Sequence, residues 1–376
     1  MKKFDLIGLI YVILSFIVLI ILFLPNISYY FENPPSSFAI TYPSYVKGYF
    51  IRQITVLTIS KSHIELNVTL PLQNVSYQKA NISFIGNYSY KINHAYNRTW
   101  YTIYLTESSN ILINYSFNIT PEQYPVSPYD SLGVNAIPQY LKNEYDHPEY
   151  LGGKEVIDPS YFVNISREIV EQAHANNVFE MEYALYSYIV KNFKYYLTYS
   201  TLENPMSAVE TWQNKAGDCA ELSFLYASMS RALGIPAWLE FGWLYGSNGW
   251  GQHAWIETVI PTTHGLVKGI IDLTIEIHSS DFGIGFFVRD PYRITEWVDD
   301  GNSSHFTNYY TLAYGRSAGN VEITDQVVNS STTQGPYIIM MVPSWSLPQL
   351  YFDIGSIGVF SIIFYAIIRK PKFLLY

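Results

Sequence analysis

The fold is decided by Ala216-Gly217-Asp218-Cys219-Ala220-Glu221-Leu222, a stretch that holds the only cysteine among 376 residues. Downstream the chain continues to Gly234-Ile235-Pro236, with apolar residues at Leu222, Leu225, Tyr226, Met229 and Leu233. This i, i+3, i+4, i+7 spacing predicts a buried helix with Cys219 in its first turn. Asp218 and Glu221 stand three apart, as an N-cap residue and its returning acid do in a capping box.

A helix start would give Cys219 the surroundings of a nucleophile. Unpaired N–H groups and the positive end of the helix dipole would lie around the sulfur, so we expect them to favour the thiolate. The alternative is a buried, inert cysteine that packs as a small hydrophobic residue.

Composition limits the class of protein. Hydrophobic residues make up 49% of the chain and charged residues 14%, with 35 tyrosines and 21 phenylalanines, which is rich for a soluble enzyme and poor for a multi-span membrane protein. The net charge of -9 argues against a nucleic-acid partner, because no basic stripe is available to neutralise phosphates. A single cysteine excludes an intrachain disulfide. Low charge with abundant Tyr, Ile and Asn suits an archaeal envelope.

The amino-terminal end is predicted to be a membrane anchor, residues 1–24. Residues 6–24 are an almost unbroken apolar run, long enough to cross about 30 Å of hydrocarbon as a helix. Lys2 and Lys3 precede the run, and the first basic residue after it is Lys47, so the amino terminus should be cytoplasmic. No small-x-small site follows, which favours an uncleaved anchor over a removed signal peptide.

A second apolar run, residues 350–368, is predicted to be a transmembrane helix and residues 369–376 a cytoplasmic tail. The run is interrupted only by Asp353, and Arg369, Lys370 and Lys372 follow it, which places the carboxyl terminus in the cytoplasm as well. A core helix or strand is the alternative. If both spans form, residues 25–349 are an exterior body tethered at both ends.

Glycosylation sequons support that orientation. Chance would place three or four of the 24 asparagines in Asn-x-Ser/Thr, and eleven are found there. They are Asn26, Asn67, Asn74, Asn81, Asn87, Asn97, Asn114, Asn118, Asn164, Asn302 and Asn329. An Asn- and Ser-rich composition that produces sequons unaided is the alternative.

The exterior body is expected to be α+β. In residues 25–120, polar residues alternate with aromatic or β-branched ones at 49–56, 63–68 and 100–105, which predicts an antiparallel β-sandwich-like domain. Residues 121–165 are rich in Pro, Tyr and Gly and read as a linker. Residues 166–300 predict helices at 167–176, 179–193 and 208–212, then the Cys219 helix, then strands at 237–245, 253–260 and 267–274. Residues 301–349 are expected to be an extension of this body.

Residues from about 166 to 280 resemble the transglutaminase-like, papain-related cysteine hydrolase superfamily. The matching pieces are Gly217-Asp218-Cys219-Ala220-Glu221-Leu222, Arg231-Ala232-Leu233-Gly234-Ile235-Pro236-Ala237, His253-Ala254-Trp255-Ile256-Glu257 and Ile271-Asp272-Leu273-Thr274. The resemblance implies that Cys219, His253 and Asp272 are a catalytic triad. One departure is Leu273, because the family often has Pro after the aspartate.

Acyl transfer through a thiol also needs donors for the developing oxyanion. The backbone amide of Cys219 and the side chain of Gln213, six residues before it, are the candidates. Trp212, Trp243, Trp250 and Trp255 are interpreted as walls of a substrate cleft, with core packing as the alternative for the last three. No metal or other cofactor is expected, since His264, Glu276 and His278 lack a ligand spacing and the chemistry requires none.

Two functions follow as hypotheses. The first is a cell-surface cysteine enzyme that attacks a peptide or isopeptide carbonyl through a thioester, with hydrolysis favoured over cross-linking. Its partners would be a peptide or protein substrate, the membrane and other envelope proteins. The second is an envelope or binding protein in which the same fold serves as a scaffold.

Overall fold

The computed structural model describes residues 39–58, 63–73, 75–95, 98–124, 126, 130–196, 204–246, 249–278, 285–314 and 321–341. These residues lie in a compact unit, Ala39–Pro343. Both predicted membrane spans, residues 6–24 and 350–368, lie outside the described residues. Among the helices that are described, none has both the length and the apolar character needed to cross a bilayer.

Along the described chain, strands β1 to β8 come before the first α-helix, and helices and strands are mixed after it. The strands are β1 (Ala39–Pro43), β2 (Val46–Thr58), β3 (Ile64–Thr69), β4 (Gln78–Phe84), β5 (Tyr90–Ala95), β6 (Arg98–Leu105), β7 (Ser109–Ile119), β8 (Glu122–Gln123), β9 (Glu149–Leu151), β10 (Lys154–Ile157), β11 (Lys194–Tyr195), β12 (Ala216–Gly217), β13 (Ala237–Gly246), β14 (Gly249–Thr262), β15 (Gly265–Ile271), β16 (Val288–Arg289), β17 (Arg293–Val298), β18 (Val321–Gln334) and β19 (Tyr337–Met341). The helices are α1 (Gln139–Tyr145), α2 (Pro159–Gln172), α3 (Val178–Asn192), α4 (Ala208–Asn214), α5 (Cys219–Ala232), α6 (Leu273–His278) and α7 (Ser303–Tyr314).

The amino-terminal part consists of two antiparallel sheets, β18-β2-β7-β4 and β3-β6-β5. Side chains along β2 and β7 alternate between buried and partly exposed, as the period-two pattern predicts. The predicted extension does not stand apart, because β18 pairs along β2 as an edge of the first sheet. A buried ion pair fixes this edge, since the Arg52 guanidinium donates from Nη2 to Oδ2 of Asp325 over 2.7 Å.

The carboxyl-terminal part consists of helix α5 packed against the antiparallel sheet β15-β14-β13-β17. Residues from Ala220 to Arg231 in α5 are all buried, so this helix is the centre of the helical layer. It ends where the sequence predicts. Gly234 has φ +74, a left-handed conformation that suits glycine, and the Ile235 N–H donates to the Ser230 carbonyl over 3.2 Å.

Two predicted boundaries near the site are wrong. His253 does not begin a strand, because β14 starts at Gly249 and forms a long hairpin with β13, in which His253 is paired with Gly242. Asp272 does not lie within a strand. β15 ends at Ile271, and the Asp272 carboxylate accepts the N–H of Thr274 over 3.0 Å, which turns the chain into α6.

Candidate active site

Cys219 is the first residue of helix α5, and the predicted capping box is present. Oδ1 of Asp218 accepts the N–H groups of Ala220 and Glu221, both over 3.0 Å. In return Oε2 of Glu221 accepts the N–H of Asp218 over 3.0 Å. The helix start is therefore fixed on both sides of the half-buried cysteine.

Burial opposes the effect that the sequence predicts for this helix start. Burial raises the pKa of the Cys219 thiol well above its ordinary value, and the charges of Asp218 and Asp272 raise it further. The N–H groups of Ala254 and Ala220 act in the opposite direction as hydrogen-bond donors to the sulfur, but they do not outweigh the burial. Asp218, the N-cap residue of α5, contributes to the raised pKa because its carboxylate places a negative charge near the thiol.

Strand β14 brings the backbone next to His253 to this thiol, and no hydrogen bond between the Cys219 sulfur and the His253 side chain is seen in the described part of the chain. The donor N–H of Ala254 belongs to the residue that directly follows His253. The imidazole Nε2 lies 2.8 Å from Oδ2 of Asp272 and 3.2 Å from Oγ1 of Thr274. Because an ionised carboxylate only accepts, Nε2 carries the hydrogen in the neutral ring and Nδ1 is the nitrogen that can accept a proton.

Asp272 is a buried carboxylate that remains ionised. Burial by itself would raise its pKa, but the charges of His253 and Arg293 together with hydrogen bonds from His253 and Thr274 hold the pKa well below its ordinary value. Oδ1 accepts from Oγ1 of Thr274 over 2.7 Å, and Oδ2 accepts from Nη1 of Arg293 over 2.5 Å. The carboxylate is fixed at both oxygens and can hold the tautomer of the imidazole.

Arg293 and Thr274 are site residues that the sequence reasoning missed. Thr274 could have been found, because Asp-x-Thr at the end of a strand is a local capping signal. Arg293 gives no such signal, since it lies 21 residues from Asp272 along the chain and reaches it only through the order of the strands.

The four tryptophans have different places. Trp243 and Trp250 are buried against Phe50 in the hydrophobic cluster that fills the β-sandwich. These two residues therefore pack in the core and do not form walls of a substrate cleft. Trp255 is fully buried and stacks on His253, with ring centroids 6.0 Å apart.

Trp212 packs among aromatic rings of α2 and α3, and the Lys215 ammonium lies 3.2 Å from the centroid of its ring. Neighbouring Gln213 is exposed on α4. No contact of Gln213 with Cys219 is seen in the described part of the chain. Among the described residues no group of His, Cys, Asp or Glu is arranged to hold a metal ion. The side chains of Glu276 and His278 are outside that part.

The profile of the Transglutaminase-like superfamily matches residues 163–265, which include α5 and the whole β13–β14 hairpin and end before Asp272. Among curated proteins, none is significantly similar to this sequence. A candidate cysteine protease from Cytophaga hutchinsonii has a similar structure, with a TM-score of 0.51 and 15% identity over 81% of this chain and 93% of its own. At that identity the likeness establishes a shared fold of mixed helices and strands and no activity.

Two other solved structures are more distant. A candidate protease from Parabacteroides distasonis gives a TM-score of 0.28 with 8% identity, over 58% of this chain and 46% of its own. The periplasmic domain of TgpA from Pseudomonas aeruginosa gives 0.30 with 12% identity, over 61% of this chain and 88% of its own.

Proposed function

We propose that this protein is a cell-surface cysteine enzyme that cleaves peptide or isopeptide amide bonds through a thioester on Cys219. The observation that supports it best is the buried hydrogen bond of 2.8 Å between His253 and Asp272. His253 lies on β14, and the next residue of that strand, Ala254, donates its N–H to the Cys219 sulfur. A nucleophile, a proton acceptor and a group that orients the acceptor are the three parts that acyl transfer requires.

The raised pKa of Cys219 determines how the first step runs. Because burial raises the pKa of the thiol, Nδ1 of His253 acts as the base that removes its proton as the sulfur attacks the carbonyl carbon. The resulting imidazolium is stabilised by Asp272, and it returns the proton to the amine nitrogen when the C–N bond breaks. The amine leaves and the acyl group remains on the sulfur as a thioester.

Deacylation uses the same base. His253 removes a proton from water, the hydroxide oxygen bonds to the thioester carbonyl, and the C–S bond breaks with return of the proton to sulfur. The products are a carboxylic acid and the free thiol. An amine in place of water would give a transferred amide, and hydrolysis is the proposed outcome because water is always present. The backbone N–H of Cys219 is the first candidate for the oxyanion donor, with exposed Gln213 as the second.

The surface location is part of the proposal. Six sequon asparagines are exposed and accessible to a glycosylating enzyme: Asn81, Asn87, Asn118, Asn164, Asn302 and Asn329. Asn67 and Asn114 are half-buried, and Asn26, Asn74 and Asn97 lie outside the described residues. With the membrane spans proposed at 6–24 and 350–368, the substrate would be a peptide or protein of the cell envelope.

The test uses a thiol-directed acyl probe on the full chain. Because Cys219 is the only cysteine, the stoichiometry of labelling reports this residue alone. We expect His253→Ala to slow labelling by about 10²–10⁴-fold, the usual contribution of a general base, and His264→Ala, an exposed histidine on the β14–β15 turn, to leave it unchanged.

Equal labelling of wild type and His253→Ala would instead favour the scaffold function, in which the thiol reacts without a base. Mass spectrometry of envelope proteins incubated with wild type and with Cys219→Ala then separates hydrolysis, which gives new termini, from transfer, which gives new isopeptide links.

A further inference from the structure

Arg293 is a buried arginine that binds two carboxylates at once. Its Nη1 donates to Oδ2 of Asp272 over 2.5 Å, and its Nε donates to Oδ2 of Asp290 over 2.8 Å. Both acids and the arginine are at most 4% exposed. Since the planar guanidinium presents its donors in a fixed fork, it fixes the position of Asp272 relative to the backbone of β17.

The same guanidinium also lies against the aromatic ring that supports the histidine. The carbon at its centre is 5.2 Å from the ring centroid of Trp255, and that ring stacks on His253. The indole N–H of Trp255 is held by Oε2 of Glu240 over 2.8 Å. Arg293 therefore contacts two of the groups that touch the imidazole, the carboxylate and the indole.

Charge makes this contact matter for proton uptake. The buried cluster contains two carboxylates, Asp272 and Asp290, and one guanidinium, Arg293, so its net charge is about -1. A proton on His253 would make the cluster neutral. The charge of Asp272 also acts on Cys219 of α5, Tyr195 of β11 and Tyr42 of β1. Each of these groups is neutral or negative, so none of them can replace the charge of Arg293.

We propose that Arg293 is a positioning residue for the reaction at Cys219, which aligns Asp272 and, through Asp272 and Trp255, the imidazole of His253. This inference rests on the proposed function. It predicts that the acid side of the rate profile moves to higher pH when the guanidinium is lost, because a positive charge beside the carboxylate disappears.

The experiment measures the rate at which iodoacetamide alkylates Cys219 in the full chain between about pH 4 and pH 9. This interval extends roughly two pH units on either side of the ordinary pKa of a histidine. In Arg293→Gln we expect the acid-side midpoint of the normalised profile to move up by about one pH unit, as the loss of a neighbouring opposite charge implies. Arg293→Lys keeps the charge and should restore the midpoint. Asp290→Asn removes a negative charge and should move the midpoint down, which provides a second test if Arg293→Gln folds poorly.

Arg52→Gln is the matched control. Arg52 is likewise 1% exposed and paired with an aspartate, Asp325, but it contacts neither His253 nor Asp272. It should lower the free energy of unfolding without moving the midpoint. A normalised Arg293→Gln profile that coincides with wild type, or an upward shift in Asp290→Asn, would overturn the inference. Failure of the proposed function looks different, because His253→Ala would then alkylate like wild type.

Discussion

The indole of Trp255 stacks on the imidazole of His253, with ring centroids 6.0 Å apart and planes inclined by 28°. The tryptophan has a counterpart in the β-sandwich, because Trp243 is also buried and also donates its indole N–H to a glutamate over 2.8 Å. The two residues share burial and hydrogen bonding, and only Trp255 contacts a proposed catalytic group.

This pair gives the first prediction. Trp255→Phe and Trp243→Phe should each lower the free energy of unfolding by about 1–3 kcal/mol, because each removes one hydrogen bond to a buried carboxylate. Only Trp255→Phe should slow acylation of Cys219, by about two- to tenfold, the worth of one aromatic contact. Chemical denaturation and probe kinetics on both variants check this, and equal kinetics would show that the stack is packing alone.

The second prediction concerns Asp218. Its carboxylate is the second cause, after burial, of the raised pKa of Cys219. Asp218→Asn keeps a good N-cap and removes the charge, so the pKa of the thiol should fall and the iodoacetamide rate at neutral pH should rise about three- to tenfold.

Asp158→Asn is the control for that change. It alters the N-cap of α2, where Oδ1 of Asp158 accepts the N–H of Tyr161 over 3.1 Å. An identical rate increase in both variants would mean that the charge beside Cys219 is not the cause.

The third prediction concerns Gly242, which lies opposite His253 on β13. A Cβ at Gly242 would lie 1.8 Å from the carbonyl oxygen of Ile294 on β17, whereas a Cβ at Gly246 of the same strand meets nothing within 4 Å. Gly242→Ala should lower the free energy of unfolding by about 3 kcal/mol or more, and Gly246→Ala should change it by less than about 0.5 kcal/mol. Guanidinium chloride unfolding distinguishes the two, and similar midpoints would contradict the close approach.

The fourth prediction concerns Glu182, a fully buried carboxyl in α3. Burial raises its pKa from 4.5 to about 7, against hydrogen bonds from Ser230, Tyr226 and Thr258. Because the folded pKa lies above the unfolded one, the contribution of Glu182 to the free energy of unfolding is full below pH 4.5 and is lost as the pH rises towards about 7. The loss is on the order of 3 kcal/mol.

Glu182→Gln cannot titrate, so its free energy of unfolding should fall less than that of wild type between pH 5 and pH 8, roughly the range in which globular proteins are most stable. Urea denaturation at the two pH values measures the difference. Glu168→Gln, an exposed glutamate on α2, should retain the wild-type slope. A Glu182→Gln slope equal to wild type would show that this carboxyl is ionised throughout.

Local signals account for what could be predicted from the sequence. The cap, the burial and the end of the Cys219 helix depend on residues within a few positions of each other, so spacing suffices to find them. The partners of Asp272 and the burial of Trp243 depend on contacts distant in sequence. Arg293 meets Asp272 only because β17 joins the sheet beside β13, with a register shift between Phe241 and Gly242. The raised pKa of Cys219 was missed because dipole arguments leave out burial.

Strands β1 and β19 pair antiparallel, with Ala39 opposite Met341. The first and last residues of the described unit are thus neighbours, about 5 Å apart between Cα atoms. A short loop would suffice to join them, and new ends could then be opened at an exposed turn. A circularly permuted chain should therefore reach the same native structure with its elements in a different order.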